Sequence, residues 1–113
     1  MHELTLAVSV LQIVEDAMRR EGMQHVRAVW LEIGQLASVE PEAMRFCFDA
    51  VARDSVADGA RLEIVTTAGA AWCNACSKQV SIPELGTPCP HCGGYRLRLT
   101  AGTGMRVMEL EGE

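Results

Sequence analysis

Apolar positions recur along this chain in several separate rhythms. Over residues 4–21, Ala7, Val10, Leu11, Val14, Ala17 and Met18 return at three- and four-residue spacing among polar Glu15, Asp16, Arg19 and Arg20. That period predicts an amphipathic helix, and Gly22 suits its stop. Residues 27–33 alternate instead, with Val29, Leu31 and Ile33 on one face, Arg27, Trp30 and Glu32 interspersed, and Gly34 closing the strand. A second helix follows, with Pro41 near its first turn and Glu40 and Glu42 beside the positive end of its dipole. It is expected to run to about Arg53 and to carry Met44, Cys47, Phe48 and Val51 inward. Asp58-Gly59 is a turn, and Leu62 and Ile64 mark a strand at about 60–66. Tyr95, Leu97 and Leu99 alternate with Arg96, Arg98 and Thr100 before a Gly-rich turn at 102–104. A last strand at about 104–110 shows no clean alternation, so the pattern assigns it no buried face.

Between residues 70 and 94 the rhythm breaks, and cysteine takes over. Cys73-Asn74-Ala75-Cys76 and Cys89-Pro90-His91-Cys92-Gly93 stand twelve residues apart. Each C-x-x-C sets two thiolates on one tight knuckle, with backbone N–H groups available to the sulfurs. Two facing knuckles supply four soft ligands in tetrahedral array, which suits Zn²⁺. Iron in a rubredoxin-like site would use the same four ligands. The gap allows a short hairpin through Val80 and Ile82 and back past Pro83 and Gly86. Four thiolates leave no open coordination position, so the centre reads as structural and not catalytic. A pair of disulfides does not suit a reducing compartment, and a thioredoxin-type motif is single and opens a helix. His91, between two cysteines that already fill the knuckle, reads as an exposed tip. Cys47 reads as a small buried hydrophobe.

The amino terminus carries a second chemistry. His2 brings together the Met1 amine, its own amide nitrogen and its imidazole, and the Glu3 amide nitrogen completes a four-nitrogen plane. Tetragonal nitrogen donors suit Ni²⁺ or Cu²⁺. A helix starting near Leu4 helps, because the first N–H groups of a helix have no intrahelical partner. His25 reads as an ordinary boundary residue.

Composition narrows the choice of function. The 113 residues are 49% hydrophobic and 22% charged, an ordinary globular balance for one compact domain with room for a small inserted subdomain. Aromatics are only 4%, which argues against a large aromatic ligand pocket. No apolar run is long enough for a spanning helix, and an acid precedes the first apolar stretch where a signal peptide needs basic residues. The expectation is therefore a cytoplasmic protein with no membrane partner. The net charge is −5, yet residues 70–100 carry Lys78, Arg96 and Arg98 against Glu84 alone. That modest excess is poor support for nucleic-acid binding by a zinc ribbon, one of two rival readings. The other is a rubredoxin-like electron carrier. An enzyme fits least, since the one Lys and the interior histidines sit in no nucleophile–base context.

Met1-His2-Glu3-Leu4, then Leu31-Glu32-Ile33-Gly34 with Leu36, Val39 and Pro41, then the two cysteine pairs, in that order, resemble the HypA/HybF hydrogenase nickel-incorporation proteins. The resemblance spans nearly the whole chain. It implies an α/β fold, two helices on a small three-stranded sheet, with a zinc-ribbon-like subdomain inserted before the last strand. It divides the chain into a nickel-binding α/β domain, residues 1–69 plus 97–113, and a four-cysteine zinc subdomain, residues 70–96. Met1, His2 and Glu3 would hold Ni²⁺ as transient cargo, and Cys73, Cys76, Cys89 and Cys92 would hold structural Zn²⁺. The implied work is nickel delivery to the apo large subunit of [NiFe]-hydrogenase with a HypB-type GTPase, and self-association into a homodimer is left open. Ser77 stands where members of that family often have Gly.

Overall fold

The computed structural model describes residues 2–113. Two helices and six strands follow in the order α1 (His2–Glu21), β1 (Val26–Gly34), α2 (Pro41–Ala52), β2 (Arg61–Thr67), β3 (Ala70–Cys73), β4 (Lys78–Ser81), β5 (Leu97–Ala101) and β6 (Met105–Gly112). The strands form two three-stranded sheets, ordered β2-β1-β6 and β4-β3-β5. The chain divides into two compact units. One comprises Met1–Glu32, Val39–Val65 and Arg106–Glu113, the other Ile33–Ser38 and Thr66–Met105. No helix among the described residues is long and apolar enough to cross a membrane.

In the first unit, α1 buries Ala7, Val10, Val14 and Met18, a single stripe at the helical period. The helix begins at His2, two residues before the expected start, with Glu3 in its first turn where a carboxylate complements the dipole. Helix α2 opens with Pro41 in its first turn, and the Glu40 carboxylate caps it by accepting the amides of Glu42 (3.1 Å) and Ala43 (3.3 Å). Its buried row is Met44, Phe48 and Ala52, spaced four apart. Cys47, expected inside from the sequence, is only half-buried. It lies one residue off that row, a rotation of about 100° around the helix, which takes a side chain from the core to its margin. β1 is the central strand, and Val26, Ala28, Val29 and Leu31 are all buried, so both of its faces are covered. Its antiparallel neighbour β6 is continued by Glu113, which exchanges both backbone hydrogen bonds with His25 at 2.9 and 3.0 Å.

The second unit departs further from expectation. The sequence suggests one hairpin after the first knuckle. Instead a three-stranded sheet is built with β3 at its centre, pairing antiparallel with β4 (Ala71↔Val80, Cys73↔Lys78) and with β5 (Ala71↔Leu99, Cys73↔Leu97). The strand Ala70-Ala71-Trp72-Cys73 has too few large apolar residues to show alternation. It becomes a strand through partners on both sides. Its core joins Ala71, Cys73, Val80, Ile82 and Cys89 to Leu36, which the chain delivers from just beyond β1. Close backbone approach makes this possible. A Cβ on Gly34 would lie 2.1 Å from the Gly102 carbonyl oxygen, and one on Gly69 would lie 2.3 Å from that of Ile82.

The α2 row sets a stability prediction. Phe48→Ala removes a 1%-exposed ring and should lower the unfolding free energy by about 4 kcal/mol, whereas Cys47→Ala should change it by less than about 1 kcal/mol. Denaturant titration followed by circular dichroism distinguishes these outcomes.

Candidate metal centre

The first knuckle forms because β3 ends at Cys73 and the chain must reverse within four residues to begin β4 at Lys78. The Cys76 amide donates to Cys73 Sγ at 3.4 Å, and the Asn74 amide donates to the Arg96 carbonyl at 3.0 Å, tying the turn to the segment entering β5. The reversal closes through Ser77 at φ 53°, in the left-handed region. Glycine adopts that region without strain, while an L side chain meets a steric penalty of about 1–2 kcal/mol. The second knuckle turns through Gly93 at φ 73°. There the Gly93 amide donates to the Cys89 carbonyl (2.9 Å), the Cys89 amide to the Gly94 carbonyl (2.8 Å), and the His91 amide to Cys89 Sγ (3.4 Å). A Cβ on Gly94 would come into contact with Cys92 Sγ at 3.4 Å, so the steric requirement in this turn falls on Gly93. The paired glycines after Cys92 are a sequence signal for this turn that ligand spacing alone does not use.

The two knuckles face one another. The sulfurs of Cys73, Cys76, Cys89 and Cys92 all lie within 4.8 Å of each other. Cys73 Sγ is 3.7 Å from Cys92 Sγ, and Cys76 Sγ is 3.9 Å from Cys89 Sγ. Four sulfurs bound at about 2.3 Å to one tetrahedral ion sit about 3.8 Å apart, so the cage fits such an ion. Cys73 and Cys89 are buried, Cys76 is half-buried and Cys92 is exposed. His91 is exposed at the tip, as the sequence suggests, and contributes its amide to the sulfur of Cys89.

The thiols titrate apart. The Cys92 amide above all, with that of His91, stabilises the Cys89 thiolate against the opposing effect of burial and brings it down to about 6. Burial, then the neighbouring thiols, pushes Cys76 up to about 12. Metal binding must therefore expel a proton from Cys76 at neutral pH.

The amino-terminal candidates divide differently. Met1 lies outside the described residues. His2 and Glu3 form the first turn of α1, and His2 Nε2 stands 3.6 Å from Glu3 Oε2. The imidazole is 56% exposed and the Glu3 side chain 18%. The Glu40 amide donates to Glu3 Oε2 at 3.5 Å. Glu3 is held below the ordinary carboxylate range, first by its own backbone amide and then, against burial, by the Glu40 amide and the nearby positive charge. This link between the starts of α1 and α2 has no sequence signal, because 37 residues separate its ends.

A family model described as hydrogenase/urease nickel incorporation, metallochaperone, hypA, matches residues 1–112. The chain belongs to the HypA family. It is 62% identical to the hydrogenase maturation factor HypA of Albidiferax ferrireducens over the full length of both chains. Its identity to the hydrogenase maturation factor HypA of Rhodopseudomonas palustris strain BisB5 is 55%, over 98% of each. The solution structure of the Ni metallochaperone HypA from Helicobacter pylori shares the fold, with a TM-score of 0.71 at 22% identity over 97% of this chain and 96% of that one. This HypA family member is thus a nickel metallochaperone for hydrogenase maturation with a four-cysteine metal site, and not a catalyst.

Two outcomes follow from the knuckles. Metal affinity should rise with pH through the neutral range, because the Cys76 proton must leave, and should fall more steeply below about 6 as Cys89 also protonates. Calorimetric titration of Zn²⁺ in buffers of differing ionisation enthalpy reads the released protons directly. Ser77→Gly should stabilise the second unit by roughly 0.5–1 kcal/mol, the left-handed strain relieved less the backbone entropy of glycine, as measured by thermal unfolding.

Proposed function

We propose that the four-cysteine centre holds Zn²⁺ as a structural ion and that the amino terminus carries Ni²⁺ as cargo. The observation that carries the zinc reading is the sulfur cage, with edges of 3.7 and 3.9 Å and no fifth protein donor among the described residues. A closed tetrathiolate shell suits a spectator ion, and a cargo site needs the opposite, a shell that opens. The first turn of α1 supplies that. The amides of His2 and Glu3 precede the first intrahelical acceptor, and the His2 imidazole projects into solvent beside them. The Met1 amine, the His2 amide and imidazole, and the Glu3 amide complete a nitrogen plane for Ni²⁺. Ligation by the His2 and Glu3 amides requires each to release its proton to solvent. For Glu3 this ends the stabilisation of its carboxylate by its own amide, and the Glu40 amide at 3.5 Å remains as a donor to it.

On this reading residues 1–69 with 97–113 act as the nickel-binding domain and residues 70–96 as the zinc subdomain. This functional division differs from the compact units, since β5 pairs with β3 in the sheet carrying the first knuckle. The chain receives Ni²⁺ and hands it to the precursor of the [NiFe]-hydrogenase large subunit in the cytoplasm, together with a HypB-type GTPase. Ni²⁺ does not outcompete Cu²⁺ at nitrogen donors, so delivery depends on availability and on the hand-off partner.

The test uses calorimetric Ni²⁺ titration and elemental analysis on the untagged protein, a form extended by two residues, and His2→Ala. The untagged chain should bind one Ni²⁺, and both altered forms should lose it while keeping one zinc. Only the untagged form should restore hydrogenase activity to a deletion strain at limiting nickel. Equal nickel affinity in all three proteins, or iron in place of zinc, would sink the assignment.

A further inference from the structure

The sheet β2-β1-β6 ends on β6, whose outer edge pairs with no strand among the described residues. β6 runs for eight residues without Pro, and its charged residues are Arg106, Glu109 and Glu111. Beside it, within the same unit, lies a groove of about 310 Å³. Ile13 and Ala17 of α1, with Met23 just beyond it, line one wall, and Val107, Met108 and Leu110 of β6 line the other. Ile13 is 49% and Met108 44% exposed, so apolar surface is left open where backbone hydrogen-bonding groups are also unclaimed. That conjunction fits an extended chain, whose backbone pairs with the edge while alternate side chains enter the trough.

Charge selects among extended chains. Arg20, Glu21 and Glu109 stand at the groove, an acidic excess, and neither carboxylate has an ion pair or hydrogen bond among the described residues. By contrast, Glu111 and Glu113 reach Arg61 and Arg27. β6 carries Arg106 against Glu109 and Glu111, and Arg106 already holds Glu32 at 2.9 Å. A second copy pairing β6 with β6 would therefore bring two acids per strand and no uncommitted cation, in a chain of net charge −5. Like charges across paired strands are destabilising, and opposite charges are favourable. We propose that the β6 edge and its groove form a docking site for an extended partner segment in which apolar and basic residues alternate. This surface involves neither metal site, so it stands or falls apart from the nickel reading.

The probe is a blocked octapeptide alternating Val with Lys, titrated into the isotope-labelled, metal-replete full chain at low salt. Saturable amide shifts should concentrate in β6 and the C-terminal half of α1, and hydrogen exchange of β6 amides should slow. The same peptide with Glu in place of Lys should bind several-fold more weakly. Ile13→Lys should weaken the Lys peptide about tenfold, since it puts a charge where an apolar side chain would be buried. Glu109→Lys should remove the preference for the basic peptide. Because the two peptides are compared on the unaltered protein, the outcome does not depend on how the variants fold. Shifts elsewhere on the chain, absence of saturation, or equal affinity for both peptides would overturn the proposal. So would a dimer whose β6 amides already exchange slowly without peptide.

Discussion

Four cysteine sulfurs within 4.8 Å of one another set the terms for the whole second unit. Two thiolates at 3.7 Å repel by on the order of 4 kcal/mol at an effective dielectric of about 20, and a tetrahedron contains six such pairs. That total exceeds the stability of a typical small domain. The arrangement is therefore sustainable as thiolates only around a cation, and otherwise only with protons retained, in keeping with the upward push that burial and the neighbouring thiols give Cys76. The sheet around it is too small to hold the knuckles together by itself. Its buried cluster is six residues, two of them ligands. Ligand and core are the same side chains there, which is why metal affinity and folding become one free energy.

The first unit is organised on a different physical basis. Its core is apolar, drawn from stripes on α1 and α2 and from the central strand β1. One group of its polar contacts links the two helix starts. Glu40 accepts two amides of α2 with its side chain and donates its own amide to Glu3, which sits in the first turn of α1. A chain terminus usually frays, because nothing restrains its first turn. Here the capping residue of α2 reaches the first turn of α1 through one hydrogen bond, from the Glu40 amide to the Glu3 carboxylate. In the proposed nickel role, His2 supplies the exposure and the Glu3–Glu40 contact the positional restraint that an exchanging site needs.

Glycine has two distinct roles in the second unit, and the difference shows in what replaces it. At Gly34 and Gly69 the requirement is space, since another backbone passes within reach of any Cβ. At Gly93 the requirement is the positive φ of the knuckle, with open space around it. Ser77 occupies the same kind of left-handed position in the first knuckle. It shows that the turn tolerates a side chain at an energetic cost, whereas Gly34 could not.

Several features were legible in the sequence because they depend on neighbours within one turn or one motif. The apolar period of α1, the row containing Met44 and Phe48, the alternation in β1 and the two C-x-x-C pairs each carry their signal within a few residues, and their order along the chain was enough to suggest the family. The tertiary structure alone decided the rest. β3 exists because β4 and β5 flank it, and Leu36 belongs to the second core because glycines let backbones touch. Cys47 fell to the margin of its helix once Phe48 had claimed the core. Glu3 found Glu40 across 37 residues, and β6 kept an open edge beside an apolar groove. Local periodicity reports which face an element would bury. Which other element covers that face depends on contacts between residues far apart in the chain, and a single sequence does not encode those as a pattern.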